Sequence, residues 1–200
     1  MNPLDKITGT LVAGLALAIL LVAVLGSEQA FNFDVVLRWV HIAAGIAWIG
    51  LLYYFNFVQV PALAEAAADK VGPGGAGVTK YVAPRALLWF RWTALVTWLS
   101  GAWILFNRDW LLGAFSLGLA GTPGPFYNSI GIGAWLGTIM LFNVWVLIWP
   151  NQKKILGLVP ATDEQKARAR RVAFLASRTN TALSIPMILF MAASAHGLPF

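Results

Sequence analysis

The chain has 200 residues, 59% of them hydrophobic and only 11% charged, with 14 lysines and arginines against 8 acidic residues. That balance excludes a soluble domain and reads as an all-α, polytopic membrane helix bundle. With no cysteine there is no disulfide, thiolate metal site, iron–sulfur cluster or covalent c-type haem, so redox chemistry would need a non-covalent cofactor.

Five apolar runs, at about residues 9–26, 35–60, 86–106, 129–149 and 172–195, stand out as membrane spans. An α-helix rises about 1.5 Å per residue, so about 20 apolar residues cross the hydrocarbon core. Cytoplasmic loops are expected at 62–84 and 151–171 and an outer interfacial segment at 107–127, which makes residues 1–200 one integral membrane domain. The net charge of +6 follows the spans. Lys6, Lys70, Lys80, Arg85, Arg91, Lys153, Lys154, Lys166, Arg168, Arg170, Arg171 and Arg178 fall on one side, and only Arg38 and Arg108 on the other. By the positive-inside rule the N-terminus is cytoplasmic and the C-terminus outside. The lipid bilayer accounts for the basic charge, and no nucleic-acid partner is implied.

The first run carries no polar residue after Thr10 and reads as a lipid-facing or packing span, with a signal peptide as the alternative. The short loop at 27–34 makes runs one and two antiparallel neighbours. In the second run Arg38, His41, Gly45, Trp48 and Leu52 recur at steps of three and four, which is one helical face. Ala43, Ala44, Gly45 and Ala47 permit close approach of a neighbouring backbone or of a flat ligand. Pro61 is expected to end this helix. The sequence ALAEAAADK then begins helix-like and breaks at GPGGAG, a flexible loop or a lid.

Pro84 suits the first turn of the third helix, which offers Trp89, Arg91, Trp92, Trp98 and Trp103. WLLGAFSLGLAGTPGP is too short to span and is expected on the outer surface, covering the end where His41 opens or filling a packing gap. The fourth run opens with Gly131, Gly133 and Gly137, carries Asn143 and ends in WPNQKK. Thr162, followed by Asp163, Glu164 and Gln165, is a helix N-terminal signal ahead of the fifth run. That run enters through Ser177, Arg178, Thr179, Asn180 and Thr181, is expected to kink at Pro186, and closes with His196 before Gly197 and Pro199.

Alternating spans bring Arg38, His41, Tyr127, Asn128 and His196 to the outer side, and Asn56, Gln59, Arg91, Asn143, Arg178 and Asn180 to the inner side. Two histidines on different helices at one depth are the minimum for bis-histidine ligation of haem b, with His41 and His196 on the iron and Arg38 placed for the propionates. A histidine hydrogen-bonded within the bundle and a divalent metal site remain alternatives, the latter with Asp34 the nearest carboxylate. The inner set, with Arg91, Asn143, Arg178 and Asn180, is an anion-site candidate, unless its amides cap kinked backbone and its arginines reach lipid phosphate.

LRWVHIAAGIAWIGLLYYFNFVQVP, FRWTALVTWLSG, FNVWVLIWPNQKKILG and ASRTNTALSIPMILFMAASAH together resemble the N-terminal membrane domain of the bacterial membrane-bound urate hydroxylase (urate oxidase) family. The resemblance implies a bacterial inner-membrane, multi-pass protein. Full-length members carry a C-terminal cytochrome c domain that takes electrons from urate oxidation. With no CxxCH here, that domain is lacking, and a separate cytochrome c or respiratory-complex partner is expected instead. The matching positions are His41, Asn143, Trp145, residues 151–154, Arg178, Asn180 and His196. WVHIAAGIAWIGLLYYF is also similar to the first-helix pattern of membrane protoporphyrinogen oxidases, which implies haem b on His41. The expectation is a urate-hydroxylase-like redox subunit, an oxidoreductase that needs a partner for electron transfer. The alternative is a non-enzymatic accessory subunit of a respiratory complex, or an anion-binding carrier.

Overall fold

The computed structural model describes residues 2–26, 30–120 and 124–198, and all regular structure among them is helical. The chain divides into two compact units, Met1–Phe33 and Asp34–Phe200. In the first unit a 3-10 turn, Pro3–Asp5, is capped by the Asn2 side chain, which accepts from the Leu4 amide at 3.0 Å. Helix α1, Ile7–Leu25, follows and is apolar on every face, as a helix solvated by lipid is. The expected loop at 27–34 lies partly outside the described residues, as does Pro199.

The second unit contains α2 (Phe33–Tyr53, with Phe33 the boundary residue), α3 (Val60–Ala68), α4 (Ala83–Asn107), α5 (Leu111–Phe115), α6 (Pro125–Phe142), α7 (Trp149–Ile155) and α8 (Asp163–His196). The start of α8 is set by a capping box. The Thr162 hydroxyl accepts from the Gln165 amide at 3.2 Å, and the Gln165 side chain accepts from the Thr162 amide at 2.9 Å. One apolar core joins four helices. Trp48, Leu52 and Phe55 meet Leu87, Phe90 and Ala94 of α4, Met140 and Val144 at the end of α6, and Ala176 and Met187 of α8. Phe55 and Phe90 pack edge to face at 5.4 Å between centroids.

Pro61 does not end the second helix, against the expectation from sequence. A π-helical segment, Tyr54–Gln59, leads directly into α3, and the Val60 amide reaches the Phe55 carbonyl five residues back. The same arrangement occurs twice more. Val78–Val82 is π-helical before Ala83 and Pro84, and Asn143–Ile148 before Trp149 and Pro150. In each case the residue preceding the proline bonds five residues back, to Phe55, Val78 or Val144. Proline has no N–H and its ring collides with the carbonyl four residues earlier. The wider π turn draws those carbonyls aside, so the helical path survives the proline. Pro186 lies inside α8, which is continuous across it.

Among the described residues four helical stretches, Ile7–Leu25, Phe33–Ala68, Pro125–Ile155 and Asp163–His196, are long and apolar enough to cross a membrane. The chain is thus an all-α, multi-pass membrane protein. The remaining expected span, 86–106, coincides with α4, whose 25 residues include Arg85, Arg91, Thr93, Thr97 and Ser100. These polar groups lower its hydropathy, and Thr93, Thr97 and Ser100 bond back to carbonyls of the preceding turn at 2.6–2.7 Å.

Candidate functional site

A cavity of about 830 Å³ opens at the end of the second unit that holds both histidines. That volume is within the range of about 300–1,000 Å³ usual for small-molecule and cofactor pockets. Arg38 and His41 of α2 line it together with His196 of α8. Its remaining wall is apolar and aromatic, with Trp48, Trp110, Phe115 and Phe126 prominent.

His41 is held by α4. Its Nδ1 lies 2.8 Å from the Thr97 carbonyl oxygen and 3.4 Å from Ser100 Oγ. A carbonyl can only accept, so Nδ1 carries the proton and Nε2 keeps its lone pair. This is the tautomer that an imidazole needs in order to bind a metal through Nε2. One turn beyond Thr97 stands Gly101, and a Cβ there would lie 2.8 Å from His41 Cε1 and 3.0 Å from Nδ1. The imidazole therefore occupies the space that any other residue at 101 would fill. Close approach of α2 and α4 is repeated at Gly45, where a Cβ would be 3.7 Å from Thr97 Cγ2.

The expected outer segment at 107–127, of which residues 121–123 lie outside the described residues, contributes Trp110, Phe115 and Phe126 to this cavity. Trp110 stacks edge to face on Phe126 at 4.7 Å, and Phe115 on Trp135 at 5.4 Å. Helix α5 sits close against α6 because both surfaces are small. A Cβ on Gly113 would lie 2.6 Å from Tyr127 Cε1, and one on Gly131 would collide with the Ala114 carbonyl. Asp34 pairs with Arg108 at 3.0 Å, which ties the start of α2 to the end of α4. Among the described residues no three His, Cys, Asp or Glu side chains group so as to hold a metal ion. Deep in the wall, Trp48 is only 2% exposed and its Nε1–H has no partner. A buried donor without an acceptor is rare in native interiors, and Trp145 Nε1, which lines neither cavity, is in the same state.

The inner residues are not gathered in the same way. Asn180 is fully buried, accepts from Asn143 Nδ2 at 2.8 Å and donates to the Met140 carbonyl at 3.0 Å. The two amides thus hold α8 to the start of the π segment Asn143–Ile148. The Arg91 guanidinium lies 3.8 Å over the Trp149 ring and bonds the Leu87 carbonyl at 3.3 Å. Arg178 stands 5.3 Å from the Phe174 ring. None of these four lines the histidine cavity. Trp145 packs edge to face on Trp92 at 5.5 Å, and Asn151 bonds back to the Leu147 carbonyl at 2.8 Å. Asn56 and Gln59, by contrast, line a second, smaller cavity at the opposite end of the same helices.

Sequence reasoning passed over Thr97, Gly101 and Trp48's role as an orphan donor. The signal for the first two was present in the spacing: Thr97 and Gly101 are one turn apart and share a face of α4 with Ser100. No curated protein and no solved structure matches the chain. The family model described as urate oxidase N-terminal matches residues 29–117 and 127–200. Over most of its length, including both histidines and the glycine beneath His41, the chain belongs to the urate oxidase N-terminal family.

Proposed function

We propose that this urate-oxidase-like membrane subunit binds haem b in the outer cavity and passes electrons between urate oxidation and a separate partner, a cytochrome c or a respiratory complex, in the bacterial inner membrane. The observation that carries the reading is the His41 geometry. The Thr97 carbonyl fixes the Nδ1–H tautomer, Gly101 leaves room for the ring, and His196 lines the same cavity. A haem supplies reversible one-electron chemistry when bound. His41 and His196 are the residues that would hold its iron, and Arg38, one turn from His41 towards the helix start, would hold the propionates. Trp110, Phe115 and Phe126 give the cavity the aromatic wall that suits a flat macrocycle.

The test is a reduced-minus-oxidised visible spectrum of detergent-purified protein expressed with an ample haem supply. A b-type α-band is expected, and it should be absent from both His41→Ala and His196→Ala while both variants remain monodisperse and helical. Colourless wild-type protein of normal helicity would overturn the reading.

A further inference from the structure

Arg91 is a cation whose bonding capacity is almost unused. Its guanidinium lies 3.8 Å over the Trp149 ring, and Nη1 reaches the Leu87 carbonyl at 3.3 Å. A guanidinium carries five N–H donors and no acceptor, so about four stay free. Among the described residues no carboxylate pairs with Arg91, Lys153 or Lys154. Neither Arg91 nor Trp149 lines either cavity, so both stand on the outer surface of the bundle, where α4 passes the start of α7.

The depth of this pair follows from the helical stretch that carries Trp149. Pro125–Ile155, with 31 residues, is about 46 Å long, against about 30 Å of hydrocarbon, and Trp149 lies about 9 Å from its end. That is the layer in which tryptophans sit among lipid headgroups. Deeper in, Trp92 and Trp145 pack edge to face at 5.5 Å and close the crevice between α4 and the π segment that precedes α7. One turn towards the headgroups, Lys153 follows Trp149 on the same face of α7, whereas Gln152 turns to the second cavity. The crevice thus has an aromatic floor, a guanidinium stacked on its wall and a lysine at its lip.

We infer that this crevice binds one anionic phospholipid, whose phosphodiester lies between Arg91 and Lys153 and whose acyl chains run down over Trp92. The planar fork of an arginine matches two oxygens of a phosphodiester, and stacking on Trp149 holds it ready for them. An unpaired arginine at this depth is costly, and a lipid phosphate relieves it. Charge then selects the lipid. Arg91, Lys153 and Lys154, with no carboxylate paired to them, repel the ammonium of a zwitterionic headgroup and accept one whose only charge is the phosphate.

Native mass spectrometry of the delipidated full chain in detergent tests the site, with dioleoylphosphatidylglycerol and dioleoylphosphatidylcholine as the two probes. One phosphatidylglycerol per chain is expected to bind saturably, about tenfold or more tighter than phosphatidylcholine. Arg91→Gln should abolish that preference. Trp149→Leu should weaken phosphatidylglycerol about tenfold although it alters no charge, because the guanidinium loses the ring that holds it. Lys153→Gln, a milder change at the lip, should weaken it several-fold and keeps the test open if either of the other variants does not fold. Arg168→Gln removes an equal charge from an exposed position on α8 and should leave binding unchanged. Soluble glycerol 3-phosphate should not compete, since it has no chains to lay on the aromatic floor. Equal affinity for the two lipids, indifference of folded Arg91→Gln or Lys153→Gln protein, an equal loss in Arg168→Gln, or competition by glycerol 3-phosphate, which would make this a site for a soluble phosphate ester, would overturn the inference.

Discussion

Two glycines and two asparagines show how single residues set this molecule. Gly101 exists where the His41 ring lies, so Gly101→Val should expel the imidazole from its bond to Thr97. The expected result is a haem-to-protein ratio at most a tenth of wild type, consistent with the 10–100-fold losses that follow from disturbing a group that orients a metal ligand. Gly50→Val, at a position where a Cβ meets nothing within 4 Å, is the control and should bind as wild type does. The Asn143–Asn180 pair acts on stability instead. Asn180→Leu leaves the Asn143 side-chain amide without its partner and takes one of two donors from the Met140 carbonyl, at a cost of about 1–3 kcal/mol in denaturant unfolding in micelles. A variant as stable as wild type would show that water replaces the lost bonds. From sequence Asn143 and Asn180 stood either for an anion, since amides among arginines invite that reading, or for amides that cap kinked backbone. Their mutual hydrogen bond depends on the rotation of α8 against α6, which hydropathy does not encode.

At the scale of the element, proline was legible and its consequence was not. Pro61, Pro84 and Pro150 all read as helix boundaries, and Pro84 does open α4. At Pro61 and Pro150 the helical path continues, because a π turn immediately upstream accommodates the ring. The choice between stopping and widening is made by tertiary packing. Phe55, Asn56 and Gln59 on one π turn, and Asn143, Val144 and Ile148 on another, are all buried, so breaking either helix there would expose them. Pro150→Ala supplies the missing N–H and removes the ring. The turn is then free to tighten to α, which would rotate α7 by about 100° relative to α6. Paired cysteines on α7 and α8 report this cleanly in a chain with no native cysteine. A changed cross-linking pattern is expected, and an unchanged one would mean that packing alone holds the π turn. The capping box at Thr162, in contrast, was fully readable from four consecutive residues, because its hydrogen bonds are local.

For the whole molecule, the asymmetric placement of lysine and arginine predicts the orientation, with the loop between α3 and α4 in the cytoplasm. Gly75→Cys should react with an impermeant maleimide only after the inner face is exposed, and labelling of intact cells would reverse the proposed topology. The all-helical architecture was legible from composition and from the period of the apolar residues. Helix order along the chain sufficed to carry His41 and His196 to one end, since antiparallel spans alternate depth, and both line the same cavity. The cavity itself was not legible, because it is bounded by α5 and the start of α6, which sequence placed only as an outer cover or a filler of gaps. Its shape depends on Gly113 and Gly131, each set against a particular neighbour. The central claim is that two histidines of this cavity hold one haem, and low-temperature electron paramagnetic resonance of the oxidised, haem-supplied protein tests it most directly. The prediction is a low-spin bis-imidazole signal that becomes high-spin in His196→Ala and disappears in His41→Ala. A wild-type signal that neither substitution alters would contradict it.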